Sequence, residues 1–109
     1  MNAYAPRRQS KRWLDGDCPR EVLAIYRDKR EEYEPYTIFY AALQRPEDGC
    51  YSGLVYIGLS ELGSYAHGEM PAYRAAEYRF RNAHRACKWT DLPKAVQSVV
   101  KKDLKEAGA

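Results

Sequence analysis

The sequence predicts an α/β chain of the α+β kind: a small sheet built on a β-hairpin and packed against two or three helices. Two runs rich in β-branched and aromatic residues, 36–43 and 51–60, flank a polar turn at Arg45-Pro46-Glu47-Asp48-Gly49, the pattern of a hairpin. Downstream, 71–88 and 92–104 repeat apolar residues at helical spacing. The length of 109 residues allows one core but not two.

Residues 1–12 form an expected flexible basic arm, with Arg7, Arg8, Lys11 and Arg12 and no acid, ahead of a single α/β domain over 13–109. In the next stretch Asp15 or Asp17 can cap a helix with Pro19 in its first turn. Val22, Leu23, Tyr26, Arg30 and Tyr33 trace its stripe, and Pro35 ends it. The hairpin follows. Residues 61–71, with Gly63, Ser64, Gly68 and Pro71, read as a loop carrying His67 as an exposed polar residue.

A second helix is predicted over 71–88, with Tyr73, Ala76, Phe80, Ala83 and Cys87 turned toward the sheet. Arg74, Glu77, Arg81 and His84 then share one edge of it, as a ladder of surface charge pairs or as a functional edge. Trp89 precedes a cap at Thr90-Asp91 and a last helix. That helix has Leu92, Val96, Val99, Val100 and Leu104 on its apolar face and Lys94, Lys101, Lys102 and Lys105 on its basic one. Because an isolated two-stranded hairpin is marginal in water, the sheet calls for a third strand around 11–14 or for a dimer that extends it; the oligomeric state is otherwise open.

Charge is distributed unevenly behind a net of +3. Residues 1–12 carry +4, 13–35 carry −3, 36–70 carry −3 and 71–109 carry +5. Basic ends on a small domain fit a polyanionic partner, with solvated helix faces and a loose tail as the plain alternative. Ten tyrosines suit a core and its rim, a protein interface or base stacking. Cys18, Cys50 and Cys87 are odd in number and widely spaced, a pattern of reduced, packed thiols in a cytoplasmic protein. Met1 to Trp13 lacks the apolar centre of a signal peptide, and no apolar run reaches a membrane span, so no membrane association is expected.

Val55-Tyr56-Ile57-Gly58-Leu59-Ser60, preceded by Ile38-Phe39-Tyr40, resembles the paired strands of the GIY-YIG nuclease family. The second tripeptide is intact as Tyr56-Ile57-Gly58, whereas Ile38 stands where the family has glycine. The resemblance implies a small endonuclease, a hydrolase of DNA phosphodiester bonds that uses a divalent metal such as magnesium. It implies Tyr40 and Tyr56 as paired phenols, Arg81 or else Arg74 on the phosphate, and His84 assisting proton transfer. Glu106, the only late glutamate, would be the metal ligand. Two other readings stand beside it. One is an inactive nucleic-acid-binding module holding phosphates with Arg7, Arg8, Lys11, Arg12, Arg85, Lys88, Lys101 and Lys102. The other is a small phage or mobile-element protein that binds and modulates a protein partner.

Overall fold

A computed structural model describes residues 7–40 and 53–106. Four antiparallel strands lie in sequence order: β1 (Val22–Arg27), β2 (Tyr36–Tyr40), β3 (Gly53–Ser60) and β4 (Gly63–Pro71). Helix α1 (Ala72–Arg81) runs directly on from β4, and 3₁₀ turns at Ala83–Arg85 and Trp89–Asp91 lead to α2 (Lys94–Glu106). The α+β class expected from the sequence is therefore found.

The expected hairpin is β2 paired with β3, in register from Tyr36 opposite Leu59 to Tyr40 opposite Val55. Its polar turn, the strand ends at 41–43 and 51–52, and Cys50 lie outside the described residues. The sheet is completed differently from expectation. Residues 11–14 form turns rather than a third strand.

The helix expected before Pro35 is instead β1, antiparallel to β2 with a bulge between Val22 and Ala24. Val22 to Tyr26 are all buried, and a short, fully buried apolar run satisfies a helix stripe and a strand equally well on paper. Contact with both sheet faces decides for the strand, and Asp28 ends it by accepting the Arg30 amide in a turn. The loop expected at 61–71 is β4, paired with β3 from Gly53 opposite Pro71 to Ser60 opposite Gly63. A two-residue turn joins them, its Leu62 amide donating to Ser60 Oγ, and Gly63 takes a φ of +141° that favours glycine. His67 is thus a strand residue.

Alternation along the strands divides the core into two layers. One face gathers Ile25, Tyr36, Ile38, Tyr40, Ile57 and Leu59 under α2, whose Val96, Val100 and Leu104 are buried as its apolar stripe predicts, with Trp89 and Leu92 beside them. The opposite face gathers Leu23, Tyr26 and Phe39 with Ala75 of α1. Tyr78 of α1 meets Phe39 and Tyr26 edge-on, at centroid distances of 5.4 and 5.7 Å.

That aromatic contact sets the rotation of α1, which is not the one the sequence suggests. Ala75, Tyr78 and Arg79 face the sheet, whereas Tyr73 (56% exposed) and Phe80 (85%) point outward. The small Ala75 lets the helix approach closely, and the Arg79 guanidinium donates to the Tyr26 hydroxyl at 3.3 Å. The helix also ends earlier than expected, at Arg81, where the Asn82 amide and side chain both donate to the Tyr78 carbonyl.

Candidate functional site

The register that builds the hairpin also decides where its two tyrosines go. Tyr56 lies opposite Phe39 and Tyr40 opposite Val55, so Tyr40 and Tyr56 project from opposite faces of the sheet. Tyr40 is fully buried under α2, and its hydroxyl has no hydrogen-bond partner among the described residues. Burial pushes its phenol further up from the ordinary value, with Asp103 and Cys18 adding to the effect. Tyr56 is half-buried beside Phe39 on the α1 side, and its ring crosses β4 so closely that a Cβ on Gly68 would lie 3.0 Å from the hydroxyl. A paired-phenol site therefore does not assemble.

The remaining residues of that expected site are also dispersed. Arg81 extends into solvent and pairs with Glu77 at 2.7 Å, an i,i+4 contact on the outward side of α1. Arg74 and His84 are exposed. The ladder of surface charge pairs is what the Glu77–Arg81 contact realises. At the far end of α2, exposed Glu106 stands 3.9 Å from Lys102. Among the described residues no group of three or more His, Cys, Asp or Glu side chains stands together as a metal-ligand set.

The basic segments behave differently, because the fold brings two of them together. The outer edge of β1 is covered by chain from both ends of the sequence. The Gln9 amide donates to the Leu23 carbonyl at 2.8 Å, and the Ile25 amide donates to Gln9 Oε1 at 3.1 Å. Two residues along the strand, the Cys87 amide donates to the Ile25 carbonyl at 3.0 Å, next to a bridge between Tyr26 and Ala86. The Trp89 amide then donates to the Trp13 carbonyl at 2.8 Å, which joins the two segments to each other. Such coverage also satisfies backbone groups that an open strand edge leaves exposed.

Residues 7–13 and 85–89 thus share one edge, and between them they hold Arg7, Arg8, Lys11, Arg12, Arg85 and Lys88 with no acid. Two of these cations are engaged in the fold. Arg8 Nε donates to the Val22 carbonyl at 3.0 Å, which ties down part of the arm expected to be flexible; residues 1–6 lie outside the described residues. Arg85 pairs with Asp28 at 3.3 Å and donates to Asn82.

The others are available. Among the described residues no carboxylate lies within ion-pair distance of Arg7, Lys11, Arg12 or Lys88; Arg12 lies 5.2 Å from the Trp13 ring centroid. Asp15 is the acid nearest Lys88 in effect, and hydrogen bonds from Thr90 hold its carboxyl below the ordinary value.

Lys101 and Lys102, expected on the same phosphate-binding surface, sit elsewhere. Lys101 pairs with Asp17 at 2.7 Å, and Lys102 faces Glu106. Asp17 also accepts from the buried Trp89 indole at 2.7 Å. With Lys101 first and Trp89 second as causes, its carboxyl is lowered to about 2. This triad fastens the segment before β1 to the Trp89–Asp91 turn and to the middle of α2.

Sequence reading missed Gln9 and the Trp13–Trp89 link, which help build the edge, and Arg79, which fastens α1 to the Tyr26 hydroxyl on the sheet face. Arg79 carried a legible signal, since it falls one turn beyond Ala75 on the face that packs, but the Tyr73–Phe80 stripe outranked it in apolar content. The two thiols described, Cys18 and Cys87, are partly buried and held protonated by burial, Cys18 being pushed up to about 11. No helix among the described residues is long and apolar enough to cross a membrane. Comparison with known proteins finds no matching family model, no matching curated protein and no matching solved structure.

Proposed function

We propose that this chain is a small nucleic-acid-binding module without catalytic activity, which grips phosphates along the outer edge of β1. One observation carries the reading: two acid-free basic segments, about seventy residues apart in sequence, are tied to the same strand edge by Gln9–Leu23, Cys87–Ile25 and Trp89–Trp13 hydrogen bonds. Convergence of this kind turns a modest net charge into a local field, and exposed Arg12 beside Trp13 offers a planar cation with an aromatic neighbour. The hydrolytic reading needs Tyr40 and Tyr56 on one face, and their register puts them on two.

Phosphate contact of this type has a quantitative signature. If Arg7, Lys11, Arg12 and Lys88 each neutralise one phosphate, log K falls with log salt at a slope of about −3.6, or about a hundredfold in affinity between 50 and 200 mM. Fluorescence anisotropy of labelled single-stranded and duplex DNA and of RNA measures this directly. The expected result is salt-sensitive binding that the double change Lys11→Glu, Lys88→Glu abolishes and Tyr56→Phe leaves intact. The same samples with magnesium, manganese or EDTA test cleavage. Metal-dependent cutting lost in Tyr56→Phe would overturn the non-catalytic reading, and absence of binding to all three substrates would overturn the whole of it.

A further inference from the structure

We infer that the nucleic acid held at this edge is single-stranded and that one of its bases stacks on Trp13, an inference that rests on the phosphate-binding reading and adds to it a strand type and a base contact. The protein's two tryptophans are placed differently. Trp89 is fully buried, whereas the Trp13 indole packs only partly on the core and meets the guanidinium of exposed Arg12 at 5.2 Å from its ring centroid. A flat ring thus reaches the surface inside the acid-free segment 7–13, under a cation that no carboxylate holds among the described residues.

The backbone fixes this ring before any ligand arrives. The amides of Trp13 and Leu14 both donate to the Ser10 carbonyl, at 2.9 and 3.0 Å, and Leu14 is buried. The Trp13 carbonyl accepts from the Trp89 amide at 2.8 Å. A platform held at both of its backbone groups has little freedom left to lose on binding, so more of a stacking contact appears as affinity.

Magnitudes decide which partner the ring keeps. An exposed cation–π contact is worth about two- to fivefold in an equilibrium constant. Stacking of a base on an aromatic side chain is worth about fivefold to a hundredfold. A base that takes the place of Arg12 on the ring therefore gains, and the displaced guanidinium is released to the phosphate beside that base. Only an unpaired strand offers such a base, because in a duplex the faces of each base are covered by its neighbours and only the edges are open in the grooves.

The charge at the end of the edge points the same way. Arg85 closes the basic track on Asp28, and exposed Glu31 and Glu32 follow in the turn toward β2. A duplex laid along β1, stiff over about 150 base pairs, runs on over these carboxylates, whereas a flexible single strand turns away after Lys88.

Fluorescence anisotropy of labelled oligo-dT and oligo-U of about 10 nucleotides, beside a duplex of the same length at the same low salt, tests this. The expected result is single-strand binding at least about tenfold tighter than duplex binding, weakened about fivefold or more by Trp13→Leu with the duplex unaffected. Trp13→Phe keeps a ring and retains single-strand binding to within about twofold, which separates loss of stacking from loss of fold. Tryptophan emission falls when the single strand is added to the native chain, and not in Trp13→Phe, whose remaining tryptophan is the buried Trp89. Duplex binding as tight as single-strand binding, or single-strand binding indifferent to Trp13→Leu, overturns this inference and leaves the phosphate-binding edge standing. Absence of binding in every arm removes the edge itself, and the inference with it.

Discussion

Replacing Tyr40 by Phe should stabilise this protein, although the strand motif in which Tyr40 stands would make it a catalytic residue. The side chain is fully buried between the sheet and α2, and its hydroxyl meets no partner among the described residues. Leaving such a group buried and unpaired costs about 1–3 kcal/mol. Removing the oxygen leaves a void of about 15 Å³, which at about 24 cal/mol per Å³ returns a penalty of about 0.4 kcal/mol. The net gain is therefore about 1–2 kcal/mol, equivalent to a rise in melting temperature of about 4–8 °C for a domain of this size. Urea unfolding followed by tryptophan fluorescence reads this, with Trp89 buried in the same layer as reporter. A loss of stability beyond about 0.5 kcal/mol at unchanged m-value would refute the reasoning, since it would mean that the hydroxyl is satisfied and structural.

Two further outcomes concern residues 16 and 17, which pack on Trp89, Thr90 and Lys101 ahead of β1. Gly16 has a φ of +59°, and a Cβ there would sit 2.8 Å from Thr90 Cγ2, so Gly16→Ala should cost about 1–3 kcal/mol by strain and clash, measured by the same unfolding curves. Asp17 gives a pH dependence of definite sign. Its carboxyl is lowered from 3.8 to about 2 in the folded chain by Lys101 and Trp89, so its contribution is complete above about pH 4 and is lost as pH falls through about 2. Urea midpoints measured across that window should fall with pH, and Asp17→Asn should flatten the fall in part. The flattening is partial because Asp15 and Asp28 are lowered in the same direction.

The contrast between what was legible and what was not follows the physics of each signal. The β2–β3 pairing could be read because alternating β-branched and aromatic residues with turn chemistry between them have one economical arrangement. The buried stripe of α2 could be read because Val96, Val100 and Leu104, with Leu92 just ahead of the helix, keep helical period against a lysine-rich opposite face. Strand β1 could not be separated from a helix, because Val22 to Tyr26 are buried on both sides and period carries no information where every position is apolar. In β4 the glycines and serine that read as a loop have a tertiary reason. Gly68 makes room for the Tyr56 ring, and Gly63 turns the chain.

The expected site failed for a reason that sequence spacing does not hold. The tripeptides give each tyrosine's place along its own strand, but which face it takes depends on cross-strand register, and Phe39 rather than Tyr40 shares the face of Tyr56. The α1 stripe was read correctly as apolar and assigned to the wrong side. Period predicts that a helix has such a face, whereas edge-on contacts of Tyr78 with Tyr26 and Phe39 choose which side meets the sheet. The basic edge was visible only as two charged ends, and the three backbone hydrogen bonds that unite them are long-range.

The most direct measurement is a titration of the ¹⁵N-labelled chain with a short oligonucleotide, followed by amide chemical shifts at low salt. Phosphate binding along β1 predicts the largest changes over residues 7–13 and 85–89, with the amides of Gln9, Cys87 and Trp89 among them and little change over α2. Changes concentrated instead around Tyr56, Arg74, Arg81 and His84, with the edge silent, would contradict it and return attention to the face that Tyr56 occupies.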